Sequence, residues 1–128
     1  MKNRPLHERI GFALAGLKTG FQRESSVRTQ AGMAAAALIA LLVLRPSPIW
    51  WAVVAVTVAL VLALELINSA IEAIIDLLHP GIHPEIKAIK DMVAGAVLTI
   101  SIAALVVGGA LAMERGPALL ADLLGTHR

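Results

Sequence analysis

Four polar residues interrupt one of the most apolar stretches of the chain: Glu65, Asn68, Glu72 and Asp76. They are spaced three, four and four residues apart, so in an α-helix their side chains form one narrow stripe. An ionisable side chain near the centre of a membrane helix costs at least ~2.5 kcal/mol, so such a stripe indicates a function. Its carboxylates need cationic partners or a bound metal, and we predict a catalytic site at the boundary of membrane and water.

Two other interpretations of this stripe stay open. It could be a polar seam that holds subunits together, or it could line a proton or ion pathway in a small channel or transporter. The sequence counts against the pathway because the carboxylates stop in one half of the apolar segment. Residues 49–64, which form the other half, contain no titratable group.

Two further polar groups are predicted to lie at the same membrane depth. Lys90 and Asp91 enter the third apolar segment, and Glu24 and Arg28 lie one helical turn apart just before the first. Carboxylates can hold Mg²⁺, and basic side chains bind phosphate oxygens. The three groups together therefore predict a site where a phosphate-bearing substrate meets a lipid headgroup.

The composition excludes several familiar kinds of site. The chain has no cysteine, which excludes disulfides, thiolate metal sites and cysteine nucleophiles. It also has no glycine-rich phosphate loop of either familiar type. His79 and His83 are four residues apart, but Pro80 and Gly81 between them argue against a helical zinc site, so neutral loop histidines are predicted.

Membrane helices are predicted to position these groups. The 128 residues form one domain that is 58% hydrophobic, with a mean hydropathy of +0.80, far outside the range of a soluble domain. The predicted fold is an all-α integral membrane protein with three transmembrane helices and an N-terminal amphipathic surface helix. The predicted elements are a surface helix over 6–22, membrane helices over 27–44, 49–78 and 86–113, and a tail over 114–128 that could form one short amphipathic helix.

The basic residues predict the orientation of this multi-pass chain. Six of the eleven Lys and Arg residues precede position 30, in a segment whose helical apolar spacing favours a membrane surface over nucleic acid as a partner. The positive-inside rule then places the N-terminus and the second loop in the cytoplasm, and the turn at 45–48 outside. A cleaved signal peptide is not indicated, because no apolar core follows the basic start before Ala31.

The polar stripe and its flanking groups resemble a known family. The letters ELINSAIEAIID, followed by KDM, are similar to the pattern of the prokaryotic diacylglycerol kinases, small integral-membrane lipid kinases. The resemblance covers residues 12 to about 112, and its motif is highly specific. The matching residues are Glu65, Asn68, Ser69, Ala70, Glu72, Asp76, Lys90 and Asp91, with Gly16, Leu17, Glu24 and Arg28 upstream.

This resemblance implies an activity and an assembly. Family members are homotrimers in the bacterial inner membrane, with active sites shared between three-span subunits. With Mg²⁺ they transfer the γ-phosphate of ATP to a lipid hydroxyl at the cytoplasmic interface. Diacylglycerol, which would give phosphatidic acid, is the favoured acceptor. Undecaprenol is the alternative, because residues 83–97 mix the character of the two kinds of family member.

The resemblance also implies residue roles. Glu65 would be the general base that takes the proton of the lipid hydroxyl, and Asn68 would orient the base or the phosphate. Glu24 and Glu72 would hold the metal. The residues expected to contact nucleotide are Phe12, Glu24, Glu72, Asp76, His83, Lys90 and Asp91. Those expected beside the lipid are Ser26, Arg28, Gln30, Glu65 and Asn68.

Two positions depart from the family pattern. Some family members have a glutamate where Gln30 stands, so one carboxylate of the extended site is missing here. The N-terminal arginine that binds nucleotide in the family has no clean equivalent here, and Arg4 and Arg9 are both candidates.

Overall fold

The computed structural model describes residues 2–125 and shows an all-helical chain, with no strand in that range. Four helices follow one another: α1 (Leu6–Arg23), α2 (Ser25–Leu44), α3 (Pro48–Leu78) and α4 (Pro84–Leu123). The last three are long and apolar enough to cross a membrane. The predicted fold class, three membrane helices preceded by an amphipathic surface helix, is confirmed.

The helix α1 has the character of a membrane-surface helix, since none of its residues is buried in the chain. An amphipathic helix of this kind lies with its apolar face in the interface between headgroups and acyl chains. Just before it, Arg4 forms an exposed ion pair with Glu8 at 3.1 Å. The apolar side chains that are more than half exposed on α1 are Leu6, Ile10, Leu14, Leu17 and Phe21.

Short segments with non-helical backbone separate the helices. Glu24 is extended (φ −107°, ψ 115°), so it ends α1 and immediately precedes α2. Arg45 adopts the left-handed conformation (φ 48°), in which many helices end. Pro48 and Pro84 open α3 and α4, where the missing N–H of proline has no helical partner to lose.

The packed part of the bundle lies at one end of the membrane helices. Leu41 of α2, Val54 of α3 and Leu111 of α4 form a buried cluster, against which Trp50 and Trp51 pack. Most other apolar side chains of the single chain are exposed, because membrane helices face lipid and need no water-excluding core. The cluster therefore fixes α2, α3 and α4 relative to one another far from the polar stripe.

The last helix is longer than the sequence indicates. The sequence predicts that the third membrane helix ends at 113 and a separate tail follows, whereas α4 continues without interruption to Leu123. Pro117 lies inside this helix and removes one backbone hydrogen bond, but the surrounding alanines and leucines are strong helix formers. Arg115 also holds this part of α4, because its Nε donates to the carbonyl oxygen of Leu44 at 3.0 Å. Positions 126–128 of the predicted tail lie outside the described residues.

Candidate active site

The four residues of the predicted stripe lie on α3 and become more exposed toward its C-terminal end. Glu65 is 5% exposed and is the one buried charged residue in the described part of the chain. Asn68 and Glu72 are half-buried, and the Asp76 side chain is 65% exposed. The stripe therefore leads from a dry position inside the helical bundle to water.

The side chains of the two innermost residues of the stripe make no hydrogen bond or ion pair within the described chain. The Oδ1 atom of Asn68 is buried and has no hydrogen-bond partner there. None of the hydrogen bonds or ion pairs of residues 2–125 involves the Glu65 carboxylate. A buried polar atom without a partner costs about 1–3 kcal/mol, so native structures keep such atoms for a reason. The pair is suited to accept hydrogen bonds from a bound group.

The outer end of the stripe joins α3 to α4 through an ion pair. The Nζ of Lys90 donates to Oδ1 of Asp76 at 2.6 Å, fourteen positions apart in sequence. The adjacent Asp91 accepts from Lys87 at 2.5 Å, within α4. The four residues surround the C-terminal end of the stripe with two cations and two carboxylates. Lysine, with three N–H donors, uses one of them at Asp76 and keeps two for another acceptor.

The loop histidine His83 has a structural contact. It is the N-cap of α4, and its Nδ1 accepts a hydrogen bond from the backbone N–H of Glu85 at 3.1 Å. The His79 ring lies edge-on to it, with ring centroids 6.1 Å apart. The histidines are in a loop, as predicted, and Nδ1 of His83 is occupied while Nε2 remains available to a ligand.

A close approach of α1 to α3 brings Glu24 into the neighbourhood of the stripe. A Cβ atom added to Gly20 would lie 2.4 Å from Cδ2 of Leu66, the residue after Glu65. Only glycine permits this spacing without a shift of Leu66. Glu24 follows one turn later, and its backbone N–H donates a hydrogen bond to the carbonyl oxygen of Gly20 at 2.9 Å. The sequence alone does not distinguish Gly20 from Gly11 and Gly16 of the same helix, which have open space around them.

Arg28 does not pair with Glu24, although the two are four residues apart. Its Nη1 donates to the carbonyl oxygens of Phe21 and Gln22 at 2.9 and 3.1 Å. These carbonyls belong to the last turn of α1, where a cation satisfies unpaired acceptors and the helix dipole. Because Glu24 is extended, it is not on the same helical face as Arg28. The Glu24 carboxylate therefore forms no ion pair with any described residue.

Gln30, one of the residues predicted to lie beside the lipid, is at one end of an apolar groove between the membrane helices. A cavity of about 570 Å³ lies between α2, α3 and α4, with Gln30 at its α2 start and alanines, valines and glycines along its walls. Ser26 is half-buried one turn before Gln30. The groove runs past Val61, one turn from Glu65, and on to Gly108. Phe12 lies on α1, ~18 Å along that helix from Glu24.

The carboxylates fit the way proteins bind magnesium in phosphate-transfer sites. No group of three or more His, Asp or Glu side chains that could hold a metal occurs in the described residues. Mg²⁺ usually takes one or two protein carboxylates and completes its shell with substrate phosphates and water. Glu24 and Glu72, half-buried and without an ion pair, are donors of that kind.

The fold and the site together define an integral membrane protein whose polar site lies at one end of a helical bundle. The model of the prokaryotic diacylglycerol kinase family matches residues 11–112. The chain belongs to this family, and the resemblance seen in the sequence is confirmed.

Two curated relatives agree with this assignment. A protein named diacylglycerol kinase from Synechocystis sp. is 38% identical over 101 residues, which are 78% of this chain and 58% of the relative. A protein named undecaprenol kinase from Bacillus subtilis is 34% identical over 85 residues, 66% of this chain and 69% of the relative. The match thus spans less than two thirds of the length of the Synechocystis relative.

Proposed function

We propose that the chain is a lipid kinase that transfers the γ-phosphate of ATP to the hydroxyl of diacylglycerol. The observation that carries this proposal is the buried, unpaired Glu65 beside the unpaired Asn68 oxygen, at the inner end of a stripe that opens to water at Lys90. Undecaprenol is the alternative acceptor. Diacylglycerol is favoured because the relative of that name matches the larger share of the chain.

The proposed reaction is a single phosphoryl transfer. The Glu65 carboxylate takes the proton of the lipid hydroxyl as general base, while the hydroxyl oxygen bonds to the γ-phosphorus. The bond from the γ-phosphorus to the β–γ bridging oxygen breaks, and ADP leaves. Asn68 is proposed to orient the base or the phosphate beside it. The burial of Glu65 keeps water away from the γ-phosphate, which limits hydrolysis of ATP.

The cations and acids around the stripe are proposed to bind the nucleotide. Lys90 offers its remaining N–H donors to phosphate oxygens, and Asp76 fixes the lysine in place. Glu24 and Glu72 would hold Mg²⁺, which would offset the charge of the phosphates. His83, Asp91 and Phe12 are proposed nucleotide contacts as well, and Arg4 or Arg9 would supply the N-terminal arginine.

The groove that starts at Gln30 is proposed to take the lipid. Its walls are apolar, as an acyl chain requires, and Ser26, Arg28 and Gln30 lie on the turns of α2 nearest Glu24. Through its contacts to Phe21 and Gln22, Arg28 would shape the mouth of this groove by holding α1 at its angle to α2.

A homotrimer with shared sites is the proposed assembly. The resemblance to a family of homotrimers supports it, and the exposed apolar side chains of the single chain leave surface that neighbouring subunits can cover. The proposed location is the bacterial inner membrane with the N-terminus in the cytoplasm, since most basic residues precede position 30. Cross-linking of the purified protein should give a trimer; a monomer that is fully active would contradict shared sites.

Label transfer tests the proposed activity. Purified protein in lipid–detergent micelles would receive Mg²⁺, γ-labelled ATP and either diacylglycerol or undecaprenol. We expect label in diacylglycerol, loss of label in the Glu65→Gln variant, and unchanged transfer in Glu114→Gln, a glutamate at the other end of the bundle. Label only in undecaprenol would reassign the acceptor. No label in either lipid, from folded protein, would contradict the kinase.

A further inference from the structure

Two arginines share a recess at the end of the bundle opposite the candidate active site. Arg45 follows the last residue of α2, and its backbone N–H donates a hydrogen bond to the carbonyl oxygen of Leu41 at 3.0 Å. Arg115 reaches the same place from α4 and donates Nε to Leu44. The 20 residues of α2 put this recess ~30 Å from Glu24. Since the family match ends at residue 112, Arg115 lies outside it.

The recess has an excess of positive charge. Its volume is about 420 Å³, and its lining consists of Leu42, Val43, Leu44, Arg45, Arg115, Leu119 and Asp122. Among the described residues that line the recess, two guanidinium groups accompany one carboxylate, a net charge of one positive unit. Neither arginine forms an ion pair with a described residue. Arg115 donates only its Nε–H, to the carbonyl oxygen of Leu44. Its two Nη groups keep four N–H donors in a planar fork, the geometry that phosphate oxygens match.

The recess also has an apolar side that faces the membrane. Leu42 and Val43 are 58% and 52% exposed on a helix long and apolar enough to span the membrane. Trp50 and Leu44 both pack against the buried cluster at this end of the bundle, and tryptophan is typical of the headgroup level. The arginines thus lie at headgroup depth directly above a lipid-facing apolar wall. A small anion would use only the upper half of this surface, whereas a phospholipid would use both halves.

We infer that this recess binds an anionic phospholipid in the leaflet opposite the kinase site. The lipid phosphate accepts hydrogen bonds from Arg45 and the Nη groups of Arg115, and an acyl chain lies along Leu42 and Val43. The planar fork of an arginine guanidinium matches the oxygens of a lipid phosphate in this way. The binding site is independent of the proposed kinase activity, because it shares no residue with the stripe on α3.

Binding of phosphatidylglycerol to the full-length protein tests this inference. Native mass spectrometry would titrate phosphatidylglycerol against a phosphatidylcholine background for wild type, Arg45→Gln, Arg115→Gln and the double variant. We expect the apparent Kd to rise about fivefold for each arginine and about 25-fold for both. Lys18→Gln, which removes a charge from α1, is the matched control and should bind like wild type.

The variants separate binding from folding. Arg45→Gln leaves the Arg115–Leu44 hydrogen bond intact, so it decides the question even if Arg115→Gln loosens α4 from α2. Equal affinity in wild type and Arg45→Gln would overturn the inference. A second arm adds inorganic phosphate as competitor: we expect no displacement of the lipid at millimolar phosphate. Full displacement would reassign the recess to a free anion and overturn the lipid site.

Discussion

The two halves of α3 differ in what their side chains do. From Pro48 to Leu64 the helix is apolar, and its buried residues Val54 and Val61 pack against neighbouring helices. From residue 65 to Leu78 it carries the polar stripe, whose innermost groups lack partners in the described chain. The first half stabilises the bundle and leaves no polar group unsatisfied. The second half gives up stability at Glu65 and Asn68, which is typical of a site kept for chemistry.

The buried cluster that contains Val54 of the packing half should tolerate loss of volume least. Leu111→Ala removes a side chain that is 4% exposed from the cluster with Leu41 and Val54. We expect a loss of about 2–5 kcal/mol in the free energy of unfolding, from lost burial and a residual cavity. Thermal unfolding in micelles measures it, with Leu105→Ala, on an exposed position of the same helix, as control. An unchanged KM for ATP is expected in folded protein, and equal stability of both variants would contradict the comparison.

The polar half should respond in activity instead. Glu72→Ala removes one proposed metal ligand, so turnover at low Mg²⁺ should fall by about 100-fold and recover in part as Mg²⁺ is raised. A magnesium titration of lipid phosphorylation measures this, with Glu85→Ala at the exposed start of α4 as control. If the magnesium dependence of Glu72→Ala equals that of wild type, Glu72 is not a ligand.

Lys90 should contribute to nucleotide binding more than to stability. Its ion pair with Asp76 is exposed, and exposed ion pairs contribute little to folding. Lys90→Met should raise the KM for ATP about tenfold, the effect of one charge-assisted hydrogen bond, and leave the unfolding temperature unchanged. Lys18→Met, at a lysine of α1 outside the proposed site, is the control. A KM equal in both variants would remove Lys90 from the phosphate site.

The smallest expected effect concerns the contact between α1 and α3. Gly20→Ala places a methyl group against Leu66, so the junction that carries Glu24 must shift, and kcat should fall a few-fold. Gly11→Ala, with nothing within 4 Å, should stabilise α1 by about 0.5–1 kcal/mol. Steady-state kinetics and thermal unfolding check the pair. Equal kcat in the two variants would show that the close approach does not position Glu24.

Most of the fold was predictable because apolar length and proline breaks define membrane helices. The stripe on α3 was equally predictable, since helical periodicity fixes its face whatever surrounds it. The contacts of Arg28 were not predictable, because Glu24 has an extended backbone and its side chain does not point along the helix toward Arg28. The length of α4 was missed for a related reason: Arg115 binds a carbonyl 71 residues away in sequence. Local patterns carry no information about such tertiary contacts.

Glu65→Gln, measured for activity and for stability in the same preparation, tests the central claim most directly. The change removes a buried charge that has no partner in the described chain and keeps the shape of the side chain. Lipid phosphorylation should fall by at least about 100-fold, the contribution of a general base. The unfolding temperature should stay equal or rise, because a neutral amide is cheaper to bury than a carboxylate. Retained phosphorylation, or lost activity together with a lower unfolding temperature, would contradict a division of α3 into a packing half and a chemical half.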